Sequence, residues 1–413
     1  MHKRIFKLGL LLFLTAWMIF CSFSQPIMAL TEEQQLISQV WQIVNRTYVD
    51  ETFNHQDWHS LLVKTLKQQL PDRKAAYAAI QNMLKTLDDP FTRFLDPEQY
   101  RSLQVNTSGE LTGIGLQIAL NPKTGKLEVI SPITGSPAEK AGLRPYDRII
   151  KIGGVPIEEF TLDEAANRMR GPIGSLVTLL IERDEEEQKE VIIARDHITL
   201  NPVIAQLKSS PRELPIGYLR LTQFNANASK DLTRAIANLG KKGAAGYILD
   251  LRNNPGGLLQ SSVEVARLWL NFGKIVYTTN RRGVVDSFES FGPVLTQDPL
   301  VVLVNKGTAS ASEILAGALQ DNGRAQLVGE TTFGKGLVQS LFELSDDSGL
   351  AVTTAKYETP KHNNINKLGI KPDKLVHQAA LQNNQIATSE DLQYEAALEV
   401  LKKVMLSQVG LNK

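Results

Sequence analysis

VNKGTASASEILAGAL, Val304 to Leu319, carries three hydroxyl residues, Thr308, Ser310 and Ser312, within five positions. An unbroken apolar run, Leu300 to Val304, precedes it, and apolar residues at three- and four-residue steps follow it. The first pattern is that of a strand buried on both faces and the second that of a helix. The stretch reads as strand, turn, helix. Ser310 with Glu313 fits the S-x-x-E capping box, so Ser310 is read either as a helix cap or as a nucleophile displayed at the turn. The stretch alone leaves both readings open.

The same alternation surrounds it. GYLRL (Gly217 to Leu221) and GYILDLR (Gly246 to Arg252) read as buried strands, and NASKDLTRAIANL (Asn227 to Leu239) and SSVEVARLWL (Ser261 to Leu270) as helices. An α/β core over 198–376 follows, with a C-terminal helical segment, 377–413, containing YEAALEVLKKVML (Tyr394 to Leu406). Further upstream the period changes to short β-like runs broken by glycine: LTGIGLQIAL, LEVISPI, DRIIKIGGVPI and SLVTLLIER. These define a compact β module over 106–197. Before it, EEQQLISQVWQIVNRTYV (Glu32 to Val49) and WHSLLVKTLKQQL (Trp58 to Leu70) have helical spacing and predict a small helical domain over 30–105. The fold class is a multidomain α+β and α/β chain.

Residues 1–29 read as an export leader: basic His2, Lys3, Arg4 and Lys7, the apolar run Leu8 to Cys21, then IMA ending at Ala29. Export follows, with a retained membrane anchor as the rival and no stable membrane span expected once the leader is removed. Cys21 is the only cysteine and falls in this leader, so the mature chain has no thiol chemistry and no cysteine metal site. The 413 residues, 42 % hydrophobic and 22 % charged, suffice for two or three domains. With 45 basic and 44 acidic side chains the formal charge is +1, which supplies no field for nucleic acid.

The histidines do not mark a catalytic site. His55 and His59 lie in the helical region, His197 ends the β module, and His362 and His377 lack acidic partners at a recognisable spacing. A Ser-His-Asp triad and a histidine metal site are therefore poorly supported, and no cofactor is expected. The remaining activator of a serine is a lysine kept neutral by burial. GETTFGKGLVQSLFEL (Gly329 to Leu344) encloses Lys335 between Gly334 and Gly336, and Gln339, four residues on, keeps to the lysine's side. DLRNNPGG (Asp250 to Gly257) ends a strand in a rigid turn whose N–H groups suit an oxyanion. Alone, the lysine also reads as a solvated loop residue and NPGG as a plain turn.

Taken together and in order, GIGLQI, GSPAEKAGLRPYDRIIKIGG, DLRNNPGG, VNKGTASASEILAGAL and GETTFGKGLVQ closely resemble the C-terminal processing peptidases, secreted serine enzymes with a Ser-Lys dyad. The resemblance covers almost the whole mature chain. It implies Ser310 as nucleophile, Lys335 as general base and Gln339 as the residue orienting that base. It implies the Gly256 and Ala311 amides as the oxyanion hole, Asp321 as a supporting acid, and the β module as a PDZ domain. Gly113, Ile114, Gly115 and Leu116 then form the loop receiving a substrate's C-terminal carboxylate, with Arg170 near the contact between PDZ and protease parts. The partner implied is the C-terminal tail of a protein. LTEEQQLISQVWQIVNRTYVDETFNHQDW and AVTTAKYETPKHNNINKLGIKPD look most like the photosynthetic branch, which trims the photosystem II reaction-centre precursor in the thylakoid lumen. A periplasmic quality-control protease, a non-catalytic PDZ scaffold, and an enzyme of the acyl-coenzyme-A hydratase type are the competing readings.

Overall fold

The computed structural model describes residues 30–121, 124–183, 187–209, 215–283 and 285–411. The expected leader lies outside the described residues. Helices α1 (Glu32–Thr47), α2 (Trp58–Leu66) and α3 (Arg73–Lys85) begin where Thr31, Asp57 and Asp72 accept hydrogen bonds from the Gln34, Ser60 and Ala75 N–H groups. Strand β1 (Arg93–Leu95) and helix α4 (Pro97–Ser108) follow, α4 running past the expected boundary at 105 to a left-handed Gly109. The helical region does not close a core by itself. Leu36, Val40, Ile80 and Phe94 pack with Leu344, Leu350 and Val352 from near the other end of the chain.

The β module contains β2 (Glu110–Gly113), β3 (Leu116–Leu120), β4 (Leu127–Pro132), α5 (Pro137–Lys140), β5 (Arg148–Ile152), β6 (Val155–Pro156), α6 (Leu162–Met169), β7 (Leu176–Arg183), β8 (Glu187–Ala194) and β9 (Asp196–Thr199). Its sheet runs β3-β4-β5-β7-β8, with β6 on β5, over a core of Ile114, Val129, Ile149, Leu179 and Ile193. Among the described residues the outer edge of β3 pairs with no other strand. Strands β2 and β9 form a separate antiparallel pair, Glu110 opposite Thr199 and Gly113 opposite Asp196, through which the module enters and leaves the chain.

The core adds β10 (Val203–Lys208), β11 (Ile216–Leu221), α7 (Ala228–Lys241), β12 (Tyr247–Asp250), α8 (Leu259–Arg267), β13 (Phe272–Asn280), β14 (Val285–Phe291), β15 (Leu300–Val304), α9 (Ala311–Asp321), β16 (Gln326–Gly329), β17 (Leu337–Glu343), β18 (Gly349–Glu358), β19 (Lys374–Leu375) and α10 (Leu392–Leu411). One sheet runs β10-β11-β12-β15-β16-β19, its strands from β11 onward parallel. Because parallel strands need covered faces, Leu219, Leu249 and Val302 pack with side chains of α7, α8 and α9, and Tyr218, Ile248 and Val301 with Tyr394, Ala397 and Leu401 of α10. A second sheet, β1-β18-β13-β14 with β17 on β18, carries the N-terminal helices. Neighbouring parallel strands β12 and β15 end side by side, so the turns after them, NNPGG and NKGTAS, meet at the C-terminal edge of the first sheet. Among the described residues no helix is long and apolar enough to cross a membrane.

Candidate active site

Two of the three hydroxyls of the opening stretch are structural. The fully buried Thr308 donates through Oγ1 to the Leu251 carbonyl at 2.9 Å, and buried Ser312 donates to the Asn254 carbonyl at 3.0 Å. Both bind the β15 turn to the β12 turn. Ser310 lies between them, half-buried, with φ +57° and ψ −118°. A β-carbon costs energy in that region, so the turn holds Ser310 in a strained backbone at the start of α9. At the helix start Ser310 and Glu313 form the expected capping box, Ser310 N–H donating to Glu313 Oε2 at 2.9 Å, and the Glu313 N–H also reaches the Ser310 carbonyl at 2.8 Å.

Glu313 does more than the sequence indicates. Its side chain is fully buried, and its carboxylate also accepts Lys335 N–H at 2.9 Å, Gly334 N–H at 2.7 Å and the Thr332 hydroxyl at 2.5 Å. One carboxylate thus fixes the backbones of Ser310 and Lys335 relative to each other. The Tyr357 hydroxyl donates to the Ser310 carbonyl at 3.1 Å, and burial, reinforced by Glu313, raises the phenol's pKa and keeps it a donor.

Lys335 Nζ donates to Gln339 Oε1 at 2.6 Å and stands 4.6 Å from the centre of the Phe91 ring. Burial first, then the Arg93 guanidinium, pushes its pKa below the ordinary 10.5, against the opposite pull of Asp89 and Glu313. Among the described residues no hydrogen bond joins Lys335 Nζ to Ser310 Oγ.

Gly256 has φ +98°, and a β-carbon there would stand 2.9 Å from both the Ala311 nitrogen and Ser310 Cβ, so glycine alone permits this approach. The Gly256 N–H donates to Asn254 Oδ1 at 2.9 Å, whereas no bond from the Ala311 N–H is found among the described residues. Asn254 is fully buried, and its carbonyl also accepts from the Ala309 N–H at 3.0 Å. Asn253, at φ +57°, exchanges two bonds of 2.9 Å with Asn305. Beneath this turn Arg252 binds Asp250 at 2.6 Å and Asp391 at 2.7 Å, both buried, and Tyr218 donates to Asp250 at 2.7 Å. Asp391 precedes α10 and had no signal in the sequence; the double asparagine before Pro-Gly-Gly was the available hint for the rest.

Other expected residues fall elsewhere. Asp321 ends α9, roughly 16 Å along the helix from Ser310 at 1.5 Å per residue, and accepts the Lys361 N–H at 2.9 Å. It is not brought to the site. Arg170 follows α6 as its C-cap, bridges to Gly113 and donates to Asn167 Oδ1 at 3.1 Å, while Asn167 reaches Glu98 of α4 at 3.1 Å. Gly115, at φ +77°, gives its carbonyl to Ile133 N–H and the Ser136 hydroxyl, and the Ile114 carbonyl takes Ala138 N–H at 2.8 Å. A trans peptide points its N–H opposite its C=O, so the Gly115 and Leu116 amides turn away from these partners, at the head of the open edge strand β3. The histidines do gain acidic partners through the fold, contrary to the reading from spacing: His197 with Glu110 at 3.0 Å, His362 with Glu358 at 2.9 Å and His377 with Glu330 at 3.1 Å. None of these rings bonds to Ser310. No group of three metal-ligating side chains occurs among the described residues.

Residues 215–376 match peptidase family S41, and residues 128–183 match the PDZ domain. A carboxyl-terminal-processing protease of Synechocystis sp. is 54% identical over 400 residues, 97% of this chain and 93% of that one. Carboxyl-terminal-processing peptidase 2, chloroplastic, of Arabidopsis thaliana is 46% identical over 85% of this chain and 70% of its own. A solved photosystem II D1 C-terminal processing protease superposes with a TM-score of 0.54 at 40% identity, covering 84% of this chain and 94% of that one. With a strained serine turn, a half-buried lysine and a PDZ module in one chain, and a relative 54% identical over 97% of it, the chain belongs to the carboxyl-terminal-processing proteases of peptidase family S41.

Proposed function

We propose that the chain is a serine endopeptidase acting through a Ser310–Lys335 dyad near the C-terminus of a substrate protein held on its PDZ module. The observation that carries this reading is Glu313, which binds the backbones of both residues while Lys335 is half-buried and its pKa lowered. A neutral Lys335 amine takes the Ser310 hydroxyl proton as Oγ attacks the scissile carbonyl, and the resulting ammonium returns it to the leaving amine. Water, deprotonated in turn by Lys335, then hydrolyses the acyl-enzyme. Gln339 orients the amine. The Ala311 amide and the Gly256 turn stabilise the oxyanion, Gly256 by sharing its N–H with Asn254 or releasing it as substrate binds. The open edge of β3 and the Gly113–Leu116 loop support strand addition by a tail ending in a free carboxylate.

The substrate we assign is the photosystem II reaction-centre precursor, trimmed of its C-terminal extension after export by the leader at 1–29. The name and coverage of the solved D1 processing protease support it. Purified enzyme incubated with a synthetic reaction-centre tail, its products read by mass spectrometry, should release one defined C-terminal fragment. Ser310→Ala and Lys335→Ala should each lower that turnover at least ~10³-fold with the fold intact. Appreciable cleavage by either variant would remove the dyad. An active parent that ignores this tail but cuts other tails would leave the dyad and favour quality control.

A further inference from the structure

The Phe91 ring facing Lys335 comes from outside the protease core. It sits in the loop between α3 and β1, in the N-terminal helical region. The loop is bolted down rather than merely adjacent. Phe91 N–H donates to Asp89 Oδ1 at 2.9 Å, and Asp89 Oδ2 accepts the Thr92 and Thr353 hydroxyls, each at 2.7 Å. Thr353 N–H donates to Thr92 Oγ1 at 3.0 Å. Thr353 is the residue directly opposite Gln339 across the β17–β18 ladder. One pair of facing residues therefore registers the Phe91 ring and the Gln339 oxygen against the same lysine.

An ammonium has three N–H donors and no acceptor, so it binds an amide oxygen and the negative face of an aromatic ring better than the neutral amine does. We propose that Phe91 is a positioning residue for the base: its ring and the Gln339 oxygen cradle the Lys335 ammonium, so that the N-terminal helical region completes the active site. The proposal rests on the Ser310–Lys335 reading above. The other charged groups facing Lys335 are Asp89 from the same loop, Arg93 at the start of β1 and Glu313 from α9, with the Tyr357 phenol of β18 near Glu313. Burial and Arg93 favour the neutral amine, while Asp89 and Glu313 favour the ammonium, and the ring adds to the second group.

The test uses the full chain and a tail peptide, with kcat/KM followed against pH and folding checked by thermal unfolding. Phe91→Leu keeps apolar bulk over the lysine without a ring face, and Phe91→Tyr keeps the face. Without the ring the ammonium loses a stabilising contact and deprotonates more easily. The acid limb of kcat/KM should move to lower pH by about 0.4–1 unit in Phe91→Leu and stay in place in Phe91→Tyr. Phe91→Met carries the same expectation as leucine should that variant fail to fold. A leucine limb that coincides with the parent's, moves upward, or is matched by tyrosine overturns the proposal. Lys335→Ala is the accompanying control: activity there sinks the dyad and this inference together, whereas an inactive Lys335→Ala with an unmoved leucine limb sinks only the role of Phe91.

Discussion

Ser310 sits at φ +57° and ψ −118°, a backbone that costs about 1–3 kcal/mol for a residue with a β-carbon. The strain is sustained by the bonds on either side of it, from Thr308 to Leu251 and from Ser312 to Asn254, and by Glu313 below. Glu313 is the residue on which the arrangement turns, because its two oxygens accept four donors from Ser310, Thr332, Gly334 and Lys335. Glu313→Gln replaces one acceptor oxygen by an NH2 group that confronts two of those donors. Stability should fall by about 1–3 kcal/mol and peptide cleavage by at least ~10²-fold, both larger than the loss of an ordinary helix cap. Thermal unfolding beside kcat on a tail peptide checks it, and a variant with parental kcat would return Glu313 to a capping role.

Two turns from neighbouring parallel strands carry Gly256 and Ser310, and the α10 face of the sheet steadies them. Arg252 lies between Asp250 and Asp391, all buried, so the segment before α10 is tied to the strand whose turn carries Gly256. Burial alone would raise the pKa of the Asp391 carboxyl, but the bonds from Arg252 and from the Ala387 and Tyr394 N–H groups outweigh it and hold the value low. Removing one partner of such a group leaves the others charged and dry. Asp391→Ala should therefore cost about 3–5 kcal/mol in urea unfolding and lower cleavage although it touches no substrate. A cost below about 1 kcal/mol would show that the C-terminal segment does not steady the turn.

At the scale of the molecule, the PDZ module hangs on the β2–β9 pair, close to the contact between Asn167 of α6 and Glu98 of α4. A cleft of about 730 Å³ lies there, lined by Arg93, Glu98 and Asn106 and by Asp163 of the module. If the Gly113–Leu116 loop selects chain ends, the enzyme should cleave a tail peptide ending in a free acid faster than the same peptide as an amide. Charge-assisted hydrogen bonds are roughly twice as strong as neutral ones, so the preference should be several-fold at subsaturating peptide. It should vanish in an enzyme from which the module between β2 and β9 is replaced by a short linker. Equal cleavage of acid and amide by the intact enzyme would remove the loop from substrate selection.

The sequence by itself determined the alternation of strands and helices in the core, the β module with its glycine loop, the turn bearing Ser310 and the glycine-flanked Lys335. Each of these rests on periodicity or on local turn chemistry, which neighbouring residues dictate. Local reading could not choose between Ser310 as cap and as nucleophile, because Thr308 and Ser312 find their acceptors in the β12 turn, more than fifty residues away. Nor could it find Phe91, Glu313 as a four-donor anchor, or Asp391. It also treated the N-terminal helices as a separate domain, whereas Leu36, Ile80 and Phe94 bury against Leu344, Leu350 and Val352. These features depend on which buried polar and apolar groups meet across the chain. A buried donor or charge must be satisfied wherever the fold brings a partner, and that choice is made only when the sheets and helices pack.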